Sequence, residues 1–150
     1  MTAVFQVLDR RHTRYGKELV TAEAAIQPGL LVYLTGSGAT VTRAGVANKP
    51  AGFAFGDRTK VYAPTTKVFA SGEECAMIMG AGMALMSVDF FSSGSLPVTD
   101  DALYSAANGL IATSGSYQMG VCLKQVTNYQ SQNLGTAQTL ALVRFNFDTF

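Results

Sequence analysis

Charge is what this chain has least of. Asp, Glu, Lys and Arg make up only 14% of its 150 residues, where a soluble domain usually carries about 25%. Eleven basic residues against ten acidic ones leave a net charge of +1, so no global field draws in nucleic acid or an anionic membrane. There is no tryptophan, one histidine and two cysteines. A single histidine rules out paired-histidine zinc motifs, and His12, in a basic stretch, reads as a solvated surface residue. Cys75 and Cys122 lack CxxC spacing and sit in apolar, strand-like runs, where buried free thiols are found. Long apolar runs are missing too. The longest, "CAMIMGAGMALM" at 75–86, is interrupted by Gly80 and Gly82 and is too short to span a bilayer. The first residues place their charges after the apolar ones, the reverse of a secretory signal. Synthesis and use in the cytoplasm of the producing cell, without a disulfide, are expected.

What is abundant is apolar and small. Hydrophobic residues reach 48%, with fifteen glycines, nine Phe and six Tyr. A small monomer with so few charges has trouble keeping its surface free of apolar patches. The composition points to a chain that is covered by partners in a larger assembly.

Residues 1–27 differ from the rest. Asp9, Arg10, Arg11, His12, Arg14, Lys17 and Glu18 crowd between "AVFQVL", a short strand candidate, and "LVTAEAAI". The charged middle reads as an exposed extended arm or loop, and Arg10, Arg11, Arg14 and Lys17 are its candidate partner-binding residues. Deleting 1–17 is expected to leave the remaining scaffold folded. From 28 to 150 about ten short β runs alternate with turns every 8–12 residues or so, the spacing of an all-β sandwich or barrel. "LLVYLT" and "ATVTRA" flank the glycine turn 36–38, "GVANKP" is a loop, and "AGFAFG" is the next strand. "TLALVRFNF" closes the chain. No helix longer than two turns is expected.

The pattern also repeats. Tyr33, Gly38 and Thr42 recur 71 residues later as Tyr104, Gly109 and Thr113. After a three-residue deletion Gly52 falls on Gly120, each inside a strand pattern where glycine marks a bulge or a close backbone approach. Two similar units, 29–91 and 98–150, are therefore expected.

Residues that carry chemistry are sparse. Asp100 and Asp101 are adjacent, so an extended chain sends them to opposite faces, and a turn or capping role fits them better than paired acid–base work. "GSGATVTR" lacks the Gly-Lys-Ser/Thr ending of a phosphate loop. Tyr33 with Arg43 and Phe55 with Arg58 pair an aromatic with a base, as single-strand binders do, but the near-neutral charge favours core or interface roles. Met77, Met79, Met83 and Met86 are adaptable core filler or part of a subunit interface. No catalytic residue, cofactor or metal ligand is assigned, and the chain is not expected to be an enzyme.

The stretch "AIQPGLLVYLTGSGATVTRAGVANKPAGFAFGD" resembles the decoration, or cement, proteins that coat tailed-bacteriophage capsids. The pattern is carried by Gly29 to Leu34, Gly36 to Gly38, Thr40 to Thr42 and Lys49 to Ala54. The second copy keeps the tyrosine, the glycine turn and "MGV" but lacks the proline, so the likeness spans most of 26–123. The resemblance implies a virion structural protein on the outer capsid surface, made in the host cytoplasm. It also implies that the major capsid protein is the partner, with self-association, a homotrimer favoured. The alternative is a carbohydrate-binding module of a tail or fibre, disfavoured by the absence of tryptophan. A small β hydrolase is disfavoured further by the single histidine.

Overall fold

In the computed structural model the described residues are 3–21, 26–35, 40–55, 71–72, 74–129 and 137–148; for 9–21, 40–41, 74–76 and 128–129 the description is of the backbone. These residues form nine strands: β1 (Phe5–Thr21), β2 (Leu31–Thr35), β3 (Thr40–Arg43), β4 (Gly52–Phe55), β5 (Glu74–Met86), β6 (Ala102–Ser105), β7 (Ile111–Ala112), β8 (Gln118–Tyr129) and β9 (Gln138–Asn146). Single 3-10 turns occupy Val88–Phe90 and Ala107–Gly109. The all-β class read from the turn spacing is the class the chain adopts. All nine strands join one sheet, ordered β1-β3-β2-β4-β5-β9-β8-β6-β7, and β1 pairs with β5 as well. Following β1-β3-β2-β4-β5 and back to β1 therefore closes a five-strand circuit, with the remaining four strands as an extension.

Three strands are longer than expected, at 17, 13 and 12 residues for β1, β5 and β8. Glycines that read as breaks lie inside β5. Gly80, at φ +77°, stands where the partner of β5 changes: β4 pairs with 76–78 and β9 with 81–86. Positive φ lets the strand turn between the two partners without losing continuity.

The largest departure is at the N-terminus. Instead of a loop, the charged stretch is β1, laid antiparallel along the whole of β5 from Phe5↔Met86 to Val20↔Glu74. Val7 faces Ala84 while Asp9 faces Met83, so two steps along β1 meet one along β5. The same one-residue excess recurs between Asp9 and His12 and between Gly16 and Leu19. Each such bulge sharpens the bend and twist of its strand. The bending carries β1 round to lie parallel to β3 at Val20↔Thr40. Bulges break the period-two alternation, and that is why the segment does not read as a strand.

The repeated pattern reappears in the backbone hydrogen bonds. In the first unit Gly29 N–H donates to Ala54 O, Ala54 N–H to Leu30 O and Leu30 N–H to Gln27 O. In the second, Asp100 donates to Cys122, Cys122 to Asp101 and Asp101 to Val98. Every partner is displaced by 71 or 68 residues, as the sequence match requires. Gly29 and Asp100 both take positive φ, +95° and +73°. Val32 faces Gly52 and Leu103 faces Gly120. A Cβ on Gly52 would collide with the carbonyl oxygen of Ile78, and one on Gly120 with that of Arg144.

The two units nevertheless present opposite faces to the core. Leu31, Phe53 and Ile78 enter it from the first unit. The corresponding Ala102, Val121 and Arg144 are half-buried or exposed, and the alternate residues Leu103, Cys122 and Val143 enter from the second. The core is rich in phenylalanine. The ring of Phe53 lies 5.0 Å from Phe5, 5.2 Å from Phe145 and 5.1 Å from Phe147, distances at which edge and tilted contacts are favourable. Val32, Ala54 and Met77 form a separate small cluster with Ile26 on the reverse face of the first unit. Met77 and Met86 are buried filler.

Two outcomes are expected. Gly52→Ala and Gly120→Ala should each lower stability by on the order of 3 kcal/mol through strand displacement. Gly72→Ala, with no atom within 4 Å of the new methyl, should cost only about 1 kcal/mol through its positive φ. Urea midpoints measure both, and equal losses at the three sites would refute the close-approach account. Removal of residues 1–17 takes away Phe5, fully buried, and most of β1. That truncation should abolish cooperative unfolding; a sharp transition in the shortened chain would restore the view of this segment as a dispensable arm.

Candidate functional site

Where the first unit meets the second, the chain leaves a cleft of about 270 Å³ lined by Tyr33, Thr42, Arg43, Ala44, Gly45, Val46, Asn48, Ala107 and Asn108. Its floor is fixed by three hydrogen bonds. Gly109 N–H donates to Ala44 O at 2.7 Å, Ser105 Oγ donates to Gly45 O at 2.9 Å, and Ala44 N–H donates to Leu31 O at 2.9 Å. A Cβ on Gly109 would stand 2.8 Å from Leu31 O, so the seam admits only glycine there. The rim is the loop after β3, which Asn48 tightens by accepting the Gly45 N–H through Oδ1 at 3.1 Å.

The hydroxyls of Tyr33 and Thr42, the amide of Asn108 and Nδ2 of Asn48 have no partner among the described residues. Among the described residues no carboxylate lines the cleft. Tyr33 also packs against the main core. The surface is thus a polar hollow with one aromatic wall. Tyr33 and Arg43, an aromatic and a base in the sequence, both line it, but their register partners, Thr42 and Val32, place them on opposite faces of the β2–β3 pair. Phe55 is buried in the core, and Arg58 lies outside the described residues.

Arg10, Arg11, Arg14 and Lys17 are brought onto one strand. Arg10 and Arg11 fall in the second bulge of β1, Lys17 in the third, and Arg14 is in register with Met79. Their side chains, and that of His12, lie outside the described residues. Between Phe5 and Leu19, β1 pairs with β5 alone among the described strands.

Asp101 is a turn residue, as its position suggested: Oδ2 accepts the Val98 N–H at 2.9 Å. Ser87 was not legible as anything. Its buried Oγ accepts the Val4 N–H at 2.8 Å and donates to Asp89 Oδ2 at 2.7 Å, tying the chain start to the end of β5. A lone serine after an apolar run gives no hint of this clasp. Cys122 is a buried free thiol, while the side chain of Cys75 lies outside the described residues. Burial, followed by the charge of Asp101 and then Asp100, pushes the Cys122 thiol above its ordinary value of 9.0, against a contrary pull from a backbone hydrogen bond of Lys124. Among the described residues no group of three or more His, Cys, Asp or Glu is placed to hold a metal, and no helix is long and apolar enough to cross a membrane.

No family model and no curated protein matches the chain. Among solved structures it is similar to the N base of the head fibre protein gp8.5 of bacteriophage phi29, with a TM-score of 0.47 and 12% identity over 90% of this chain and 95% of that one.

The Cys122 shift has a signed consequence. The unfolded chain releases this thiol proton near the ordinary value while the folded chain retains it, so the folded state binds more protons and loses stability as pH rises through that value. Urea stability measured from neutral to about pH 10 should fall less steeply in Cys122→Ala than in the parent chain. Parallel curves would show the thiol to be unlinked to folding.

Proposed function

We propose that this chain is a structural protein of a tailed-bacteriophage virion that binds the outer capsid surface and stabilises the shell by bridging neighbouring major capsid subunits. It works as a homo-oligomer, a trimer being favoured, without catalysis or a cofactor, and without contacting nucleic acid or membrane. One observation carries the reading. The stretch that resembles capsid decoration proteins folds as three neighbouring strands, β3-β2-β4, and its backbone hydrogen bonds recur 68 to 71 residues later around β6 and β8. Such a duplicated scaffold is rigid and offers two related outer surfaces, as bridging requires. The low charge of the sequence supports the same reading, because a chain covered by neighbours needs few surface charges.

In this reading the basic stretch of β1, with Arg10, Arg11, Arg14 and Lys17, meets acidic surface on the capsid. The interaction is then set by charge and shape.

Co-sedimentation with capsids of the phage that encodes the chain tests this directly. Saturable binding at a fixed ratio to the major capsid protein is expected, weakening several-fold when Arg10, Arg11, Arg14 and Lys17 are together replaced by Gln. Absence of binding to both intact and expanded shells would overturn the proposal.

A further inference from the structure

The turn that meets Ala44 places two groups side by side that can react with each other. Asn108 is the only asparagine of the sequence followed by glycine; the other four precede Lys, Tyr, Leu or Phe. A backbone nitrogen that follows asparagine can attack the side-chain carbonyl carbon, and glycine, without a Cβ, leaves that approach least hindered. Asn108 is exposed, and its carboxamide has no hydrogen-bond partner among the described residues. One reactant is therefore open to water.

The other reactant is held. Gly109 is buried, and its N–H donates to Ala44 O at 2.7 Å. Asn108 stands at φ 59° and ψ 29°. At that ψ the Gly109 nitrogen and the Asn108 Cβ lie on nearly opposite sides of the Cα–C bond. Ring closure between them needs a large rotation about this bond. Such a rotation breaks the Gly109–Ala44 hydrogen bond and, beside it, the bond from Leu110 N–H to Ala107 O.

We propose that Asn108 is a deamidation site latched by the seam: it stays an amide while Gly109 is bonded to Ala44, and converts when the seam opens. On opening, the Gly109 nitrogen forms a bond to Asn108 Cγ. The bond from Cγ to the side-chain nitrogen breaks, and that nitrogen takes the Gly109 amide proton and leaves as ammonia. Water then opens the cyclic imide at either carbonyl, giving aspartate or isoaspartate. Water is the only co-reactant. The two products differ at the seam. Aspartate keeps the backbone and tolerates positive φ, so the turn recloses. Isoaspartate routes the main chain through Cβ, and the added atom moves Gly109 out of register with Ala44 O. An opening of the seam is thereby written into the covalent structure.

Peptide mass spectrometry of the full-length chain, aged at neutral pH in buffer or in unfolding urea, provides the test. Heavy-oxygen water marks each newly hydrolysed position. Conversion at Asn108 should be at least about tenfold slower in the folded chain than in urea. Ser105→Ala removes the neighbouring hydrogen bond to Gly45 O; it should speed conversion about fivefold in buffer and leave the rate in urea unchanged. Within the aged pool, molecules carrying isoaspartate should unfold at lower urea than the Asn108→Asp chain. Equal rates in buffer and urea for the parent chain would overturn the protection, whatever the variant does. A folded Ser105→Ala chain that ages at the parent rate would cut the link to the seam. Isoaspartate molecules as stable as Asn108→Asp would overturn the latch. None of these results depends on whether the chain binds capsids.

Discussion

The contact between Phe5 and Phe53 is the interaction on which the rest of the sheet depends. Phe5 belongs to the first strand and Phe53 to the fourth, and Phe53 also touches Phe145 and Phe147 at the end of the last. Chain start, first unit and chain end are thereby fixed around one ring. The strand register makes this possible. Gly52 lets β4 approach the carbonyl of Ile78 closely, and the adjacent Phe53 is then directed into the core opposite Phe5. Phe5 in turn needs β1 to run beside β5, and the Ser87 clasp on Val4 anchors that strand at its start. A structure so arranged tolerates little independent movement of its first strand.

How the duplicated unit fits into one core follows from the same packing. A backbone pattern can repeat with its side chains out of phase, because strand residues alternate between faces. The first unit buries the Leu31–Phe53–Ile78 face and the second buries the Leu103–Cys122–Val143 face. Both units keep the features that the backbone demands, a positive φ before the strand and a glycine against a neighbouring carbonyl. Both are free to differ in everything that packs. This fits a sequence match in which identities fall on tyrosine, glycine and threonine positions while the apolar positions change residue.

The same logic decides what was legible. Turn residues and glycines report backbone requirements directly, so the β class and the turn role of Asp101 could be read. Bulges hide from periodicity, so the extent of β1 could not. The Gly80 switch was missed for a related reason: a glycine within an apolar run looks like an ending, yet its positive φ lets one strand serve two partners. The cleft was visible only as the pair Tyr33 and Arg43. Asn108, which completes it, comes from the other unit, and Asn–Gly in a turn reads as turn chemistry alone.

The first strand and the cleft draw on different parts of this design. β1 is long, bulged and rich in basic residues, and its backbone is held by the longest strand pairing among the described residues. The cleft is small and sits where Gly109 pins the second unit to Ala44 of the first. The seam between two copies of a unit is a natural place for such a hollow, since neither copy can fill the space its partner leaves. The loop of the first unit is three residues longer than its counterpart, and its Asn48, hydrogen-bonded to Gly45, braces the rim.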